Sequence, residues 1–181
     1  MKLQLTALIS ALFLAAACTG SKVAVEPIQA FNAETYLGTW HEIARMDHRF
    51  ERGLDTVSAT YTERPDGKFT VYNIGCKTKS KKWNDIKGSA RLSRGDDVGQ
   101  LSVSFFWPIS APYIIFEMDE AAADYAYVSG GTDRYLWLLA RKTEVSDERK
   151  ADFVEKAKAL GYDLEKLVWV SHDPVCPDRN S

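Results

Sequence analysis

The chain reads as an all-β protein, an antiparallel sandwich or barrel with one helix near its C-terminus. Three observations predict it. Short alternating apolar and polar runs follow one another from Gly38 to Arg141, turn-forming residues separate them, and no helical period interrupts them. The only good helical pattern comes after the last strand.

The first strand is expected in "YLGTWHEIAR", with Asn32 capping a single helical turn ahead of it. Gly38 allows a backbone conformation that side chains resist, and Trp40 brings a large ring with one donor to satisfy. Next, "TVSATYTERPDGKFTVYNIGC" forms a hairpin around "RPDG". Val57, Ala59 and Tyr61 share one face of its first arm, and Phe69, Val71 and Asn73 one face of the second. Further strands are expected in "DIKGSARLS", "GQLSVSFFW", "PYIIFEMD", "DYAYVSGG" and "RYLWLLAR", which brings the total to eight. Ile114, Phe116, Leu136 and Leu138 lie on outward parities and require a cover. "SDERKADFVEKAKALG" supplies it, with Ser146 as cap, acidic residues in the first turn, Gly161 as stop, and Phe153, Val154, Ala157 and Leu160 in one stripe. The final "LEKLVWVSHD" gives a short ninth strand beside the first.

The termini bear on location. "MKLQLTALISALFLAAAC" has one basic residue, an apolar run and small residues before Cys18, the layout of an export signal. "LAAAC" resembles a bacterial lipobox, although Ala15 stands where leucine is usual. The resulting division is a signal at 1–17, a lipidated N-terminus and tether at 18–30, the folded domain at 31–173 and a tail at 174–181. With Cys18 lipidated, Cys76 and Cys176 remain, and two thiols in an oxidising compartment suggest one disulfide. A formal net charge of -2 with interspersed signs excludes the one-sided basic field that a nucleic-acid partner needs. The sequence lacks a serine-nucleophile elbow, a phosphate loop and a metal-spaced cysteine or histidine set, so no catalytic residue, metal or cofactor is assigned.

Taken in order, "YLGTWHEIAR" with Gly38 and Trp40, "DYAYVSG", and "YLWLLAR" ending at Arg141 resemble the three signature regions of the lipocalins. The second region reads Ala123-Asp124-Tyr125 where many members have Thr-Asp-Tyr. "VSFFWPISAPYIIFEMD" and "YLWLLARK" further resemble the bacterial outer-membrane lipoprotein branch, related to apolipoprotein D. The resemblance implies an eight-stranded up-and-down barrel with the helix outside, closed at one end by Trp40 with Arg141 across its ring. It also implies a ligand inside, a fatty acid or lysophospholipid, and no catalysis.

Alternation then assigns the ligand-facing wall to Val57, Ala59, Phe69, Val71, Leu101, Val103, Phe105, Tyr113, Ile115, Val128 and Trp137, with Leu139 and Tyr135 on the same parity. Glu117 and Asn73 fall on that interior parity too. The mouth is expected in the loops 45–53 and 107–112, where Arg45, Arg49 and Arg52 are either solvated or available to an anionic group. The expected partners are that lipid and a membrane holding the lipid anchor. Thr19 after the cysteine fits sorting to the outer membrane, with the domain facing the periplasm. Oligomeric state stays open, a homodimer included. Two other functions stay open as well: a lipid-modifying enzyme using Cys76, and a packed structural lipoprotein without ligand.

Overall fold

A computed structural model describes residues 20–119, 123–173 and 175–177; the signal and the Cys18 assignment lie outside them. Eight strands follow in chain order: β1 (Gly38–Met46), β2 (Leu54–Glu63), β3 (Phe69–Lys77), β4 (Lys82–Leu92), β5 (Gln100–Phe106), β6 (Ile109–Met118), β7 (Tyr125–Ser129) and β8 (Leu136–Ala140). Each pairs antiparallel with the next, and β1 pairs with both β8 and β2, which closes the barrel. A short helix α1 (Ala33–Tyr36) precedes β1, capped by Asn32 through the Glu34 N–H. Helix α2 (Asp147–Ala159) and strand β9 (Leu167–Trp169) follow the barrel.

Turn chemistry fixes the register. In the β2–β3 hairpin Gly67 takes φ +70° and the Arg64 N–H donates to the Lys68 carbonyl at 2.8 Å, as a proline-glycine turn requires. All the turns of one end, at β2–β3, β4–β5 and β6–β7, lie with α1 and the start of β1. The loops β1–β2 (47–53), β3–β4 (78–81), β5–β6 (107–108) and β7–β8 (130–135) lie at the other end, the mouth.

Two apolar layers result. Inside, the core comprises Phe31, Tyr36, Trp40, Tyr61, Phe69, Val71, Leu101, Ile115, Val128 and Leu139 among others. Outside, Phe153 and Ala157 of α2 are fully buried against Tyr127, Leu136, Leu138 and Ala140, with Phe116 beside them. Helix α2 is thus the cover that the outward parity demanded. Ser146 caps it through the Arg149 N–H, and Gly161 ends it at φ +85°.

β9 pairs with β1 over Ala44–Met46, where β1 has parted from β2. Residues 170–171 bridge that gap: the Val170 N–H donates to the Ile43 carbonyl and the Thr56 N–H to the Ser171 carbonyl. Cys76 and Cys176 are disulfide-bonded, tying the C-terminal segment to β3. Residues 20–30, within the stretch expected as a tether, run with Phe31 along the barrel wall. The Val23 N–H bonds the Gly131 carbonyl at the mouth, the Ile28 N–H the Ile115 carbonyl, and the Phe31 N–H the Asp97 carbonyl at the far end.

Candidate functional site

The closed end is sealed by Trp40 and Arg141. Trp40 has no exposed surface, and its indole N–H donates to the Tyr36 carbonyl at 2.8 Å. The Arg141 guanidinium lies 3.7 Å from the indole centroid, and its N–H groups donate to the carbonyls of Thr39, Thr35 and Ala123 at 2.9, 2.7 and 3.3 Å. Gly38 takes φ +90°, and a Cβ there would stand 3.6 Å from Arg141, so conformation and not space demands glycine. A void of about 10 Å³ between Tyr36, Tyr61, Phe69 and Leu101 lies at this floor, enough for a single water.

Above the floor an aromatic column climbs the barrel. Tyr36 meets Trp40 at 4.8 Å and Tyr61 at 5.1 Å, Tyr113 meets Trp137 at 6.3 Å, and Trp137 meets Tyr135 at 5.9 Å. The Tyr36 and Tyr113 hydroxyls share a hydrogen bond of 2.6 Å. Burial raises the pKa of all three tyrosines of the group, Tyr61 to about 12, so they are neutral donors at physiological pH.

Burial changes with height. Near the floor the inward residues Phe69, Val71, Leu101, Ile115 and Leu139 are all buried, as is Val128 farther up, opposite Trp137. One step toward the mouth, Ala59, Val103, Phe105, Tyr113 and Trp137 pack against the same interior and yet stay only half-buried. The upper half of the barrel is lined with apolar side chains that are not closed off. Ten of the eleven residues assigned to the wall share this interior cluster, and Val57 does not. A bulge between Asp55 and Ser58, with Thr56 at φ +51°, turns Val57 toward Leu54 and Val170 in a small separate cluster.

Two further bulges overturn parity assignments. The one between Ile115 and Glu117 puts Glu117 on the outer wall, not inside. There it is paired with Lys156 of α2, with Arg149 at 4.0 Å and the Tyr125 hydroxyl at 3.4 Å. The bulge between Glu42 and Ala44 turns Ala44 outward beside Ile43 and brings Arg45 to the inward face next to Glu42. Arg45 is therefore no mouth arginine. It is 2% exposed, 2.7 Å from Glu42, and donates to the carbonyls of Glu51 and Leu54. Arg52 is committed to Asp47 at 2.7 Å, while Arg49 is exposed.

Arg45 belongs to a polar shelf beneath the mouth that alternation did not reveal. Glu51 lies 2.8 Å from His48 Nε2 and accepts from the Trp137 indole N–H at 3.2 Å. Burial, and then the charge of Glu51, push the Glu42 carboxyl well up, and Arg45 opposes them. Burial works against ionisation of Glu51 as well, but its bonds to His48 and Trp137 hold it below its ordinary value. Asn73 projects from β3 with its Oδ1 buried and unpartnered. A loop glutamate and histidine carry no sequence signal for burial, which is why this shelf was missed.

A barrel closed by a tryptophan–arginine floor and open above an apolar wall defines a small-ligand binding protein. The lipocalin-like domain family matches residues 31–172, and the chain belongs to the lipocalin family. It is 40% identical over 153 residues to the outer membrane lipoprotein Blc of Vibrio cholerae, covering 84% of this chain and 90% of that one. The Blc of Escherichia coli is 39% identical over 170 residues, 93% of this chain and 96% of the relative. Temperature-induced lipocalin-1 of Arabidopsis thaliana is 32% identical, covering 88% and 89%. Among solved structures, insecticyanin of Manduca sexta superposes with a TM-score of 0.69 at 18% identity, over 88% of this chain and 91% of that one, a likeness of fold.

Proposed function

We propose that this protein is a lipid-anchored lipocalin of the bacterial outer membrane that holds one fatty acid or lysophospholipid for storage or transfer during envelope maintenance. One observation carries the reading: inward apolar residues of β2, β5, β6 and β8 stay half-exposed above a sealed floor. An acyl chain laid there gains roughly 0.8 kcal/mol per buried methylene, less the cost of ordering it. In this reading the shelf of Glu42, Arg45, His48 and Glu51 meets the polar end of such a ligand, and the unpartnered Oδ1 of Asn73 on β3 is a further acceptor for it. The names of the V. cholerae and E. coli relatives support the outer membrane as its place and Cys18 as its anchor. The bond between Cys76 and Cys176 leaves neither thiol free for nucleophilic chemistry.

The test is a titration of delipidated, refolded protein with lysophospholipid and fatty acid, followed by tryptophan fluorescence. Saturable one-to-one binding, lost in Val103→Arg, is expected. A folded barrel that takes up neither lipid would favour a packed structural lipoprotein instead.

A further inference from the structure

The mouth of the barrel is unlike the rest of its surface in three independent ways. First, of the five large apolar side chains that stand exposed among the described residues, four are on its loops or the strand ends beside them: Phe50 at 57%, Phe106 at 63%, Trp107 at 91% and Ile109 at 73%. None is on a turn of the closed end. Side chains of this kind favour the interface between water and hydrocarbon, where an aromatic ring keeps one side wet.

Second, the rim is basic in a chain whose formal net charge is -2. The β3–β4 turn and its flanks hold Lys77, Lys79, Lys81 and Lys82, all exposed, with no acidic residue among them and no ion pair among the described residues. β4 lies between β3 and β5, so this turn neighbours the Phe106–Ile109 hairpin on the rim. The Thr78 N–H donates to the Gly53 carbonyl, which joins the turn to the loop carrying exposed Arg49 and Phe50. The acids of that loop are occupied, Asp47 by Arg52 and Glu51 by His48.

Third, the chain enters the fold at this rim. Lys22 bridges to Thr132, the Asp133 N–H donates to the Ser21 carbonyl, and a Cβ on Gly20 would fall 2.2 Å from the Asp133 carboxylate. Cys18 precedes Gly20 by two residues, so an anchor there is joined to this rim by no more than about 7 Å of chain.

We infer that the open rim seats directly on an anionic phospholipid bilayer, the leaflet that holds the anchor, with Phe106, Trp107 and Ile109 in the interface and the four lysines against the headgroups. The anchor then orients the barrel as well as retaining it. Docking stands on the rim alone; its consequence, that lipid moves between bilayer and barrel without crossing water, rests on the lipid-binding reading above.

Residues 20–181 retain every contact described here, and this unlipidated chain, its fold verified by its melting transition, tests the rim without the anchor. It is sedimented with vesicles of phosphatidylcholine, alone or mixed with phosphatidylglycerol. Preferential binding to the anionic vesicles, weakened by salt, is expected. Joint replacement of Lys77, Lys79, Lys81 and Lys82 by Gln should reduce the partition coefficient about tenfold or more, and Phe106→Ser with Trp107→Ser should reduce it on both compositions. Arg64→Gln with Lys68→Gln, at the closed end, should leave it unchanged. Failure of the parent chain to bind anionic vesicles, rim variants that bind like the parent, or equal loss in the closed-end variant would overturn the proposal. Each variant is also titrated with lysophospholipid in solution, so loss of docking with the barrel still filling is told apart from loss of the lipid site itself.

Discussion

The two ends of this barrel are built on opposite principles. At the floor, Trp40, Tyr36, Tyr61 and Phe69 are buried side by side, every polar group that Arg141 and Trp40 bring is paired, and a void of about 10 Å³ is left. Toward the mouth, Val103, Phe105, Tyr113 and Trp137 keep open surface, and buried atoms of Asn73 and His48 stand without partners. The floor is packed as a protein interior is, and the mouth leaves apolar area uncovered, as a binding site must. Stability therefore belongs to one end and function to the other.

The comparison breaks most readily at Trp40. Trp40→Ala empties a fully buried site and removes the ring under Arg141, and should cost about 3–5 kcal/mol, read as a large fall in melting temperature. A variant that melts like the parent would mean the floor does not hold the barrel together. Next comes the disulfide, which fastens the C-terminal segment near the mouth. Opening its 100-residue separation with Cys176→Ala should cost about 2–4 kcal/mol by urea denaturation. Trp137→Ala, in the half-open zone, should cost only about 1–2 kcal/mol while weakening lipid binding strongly. Equal destabilisation by Trp40→Ala and Trp137→Ala would erase the distinction between the ends.

The same contrast governs what was legible in the sequence. Strands, hairpin, helix and floor were readable because alternation, turn residues and caps are local signals, and Gly38, Trp40 and Arg141 stand where the lipocalin pattern requires. The mouth was read less well for two physical reasons. A bulge shifts every later side chain to the opposite face, and alternation carries no mark of it: the slips at Glu42/Ala44, Asp55/Ser58 and Ile115/Glu117 moved Arg45 inward, Val57 aside and Glu117 outward. Charged residues are also assigned to solvent by default, so the burial of Glu42 beside Arg45 emerges only when the β1 bulge and the 47–53 loop are seen together.

Glu42 gives the smallest effect at any one pH and the sharpest test of the shelf. Burial and the nearby Glu51 raise its folded pKa above the ordinary 4.5, which the unfolded chain retains. Below 4.5 the carboxyl is neutral in both states and contributes nothing to the pH dependence. As pH rises between the unfolded and folded values, the folded state binds the extra proton, so this group lowers stability progressively and then holds it constant above the folded value. Glu42→Gln keeps an oxygen for Arg45 and cannot ionise. Urea denaturation across a pH series should therefore show wild type losing stability relative to the variant as pH rises from about 4.5, before levelling. A difference independent of pH would mean that Arg45, 2.7 Å away, fully offsets burial and Glu51, and that Glu42 stays ionised beside Arg45 across the series.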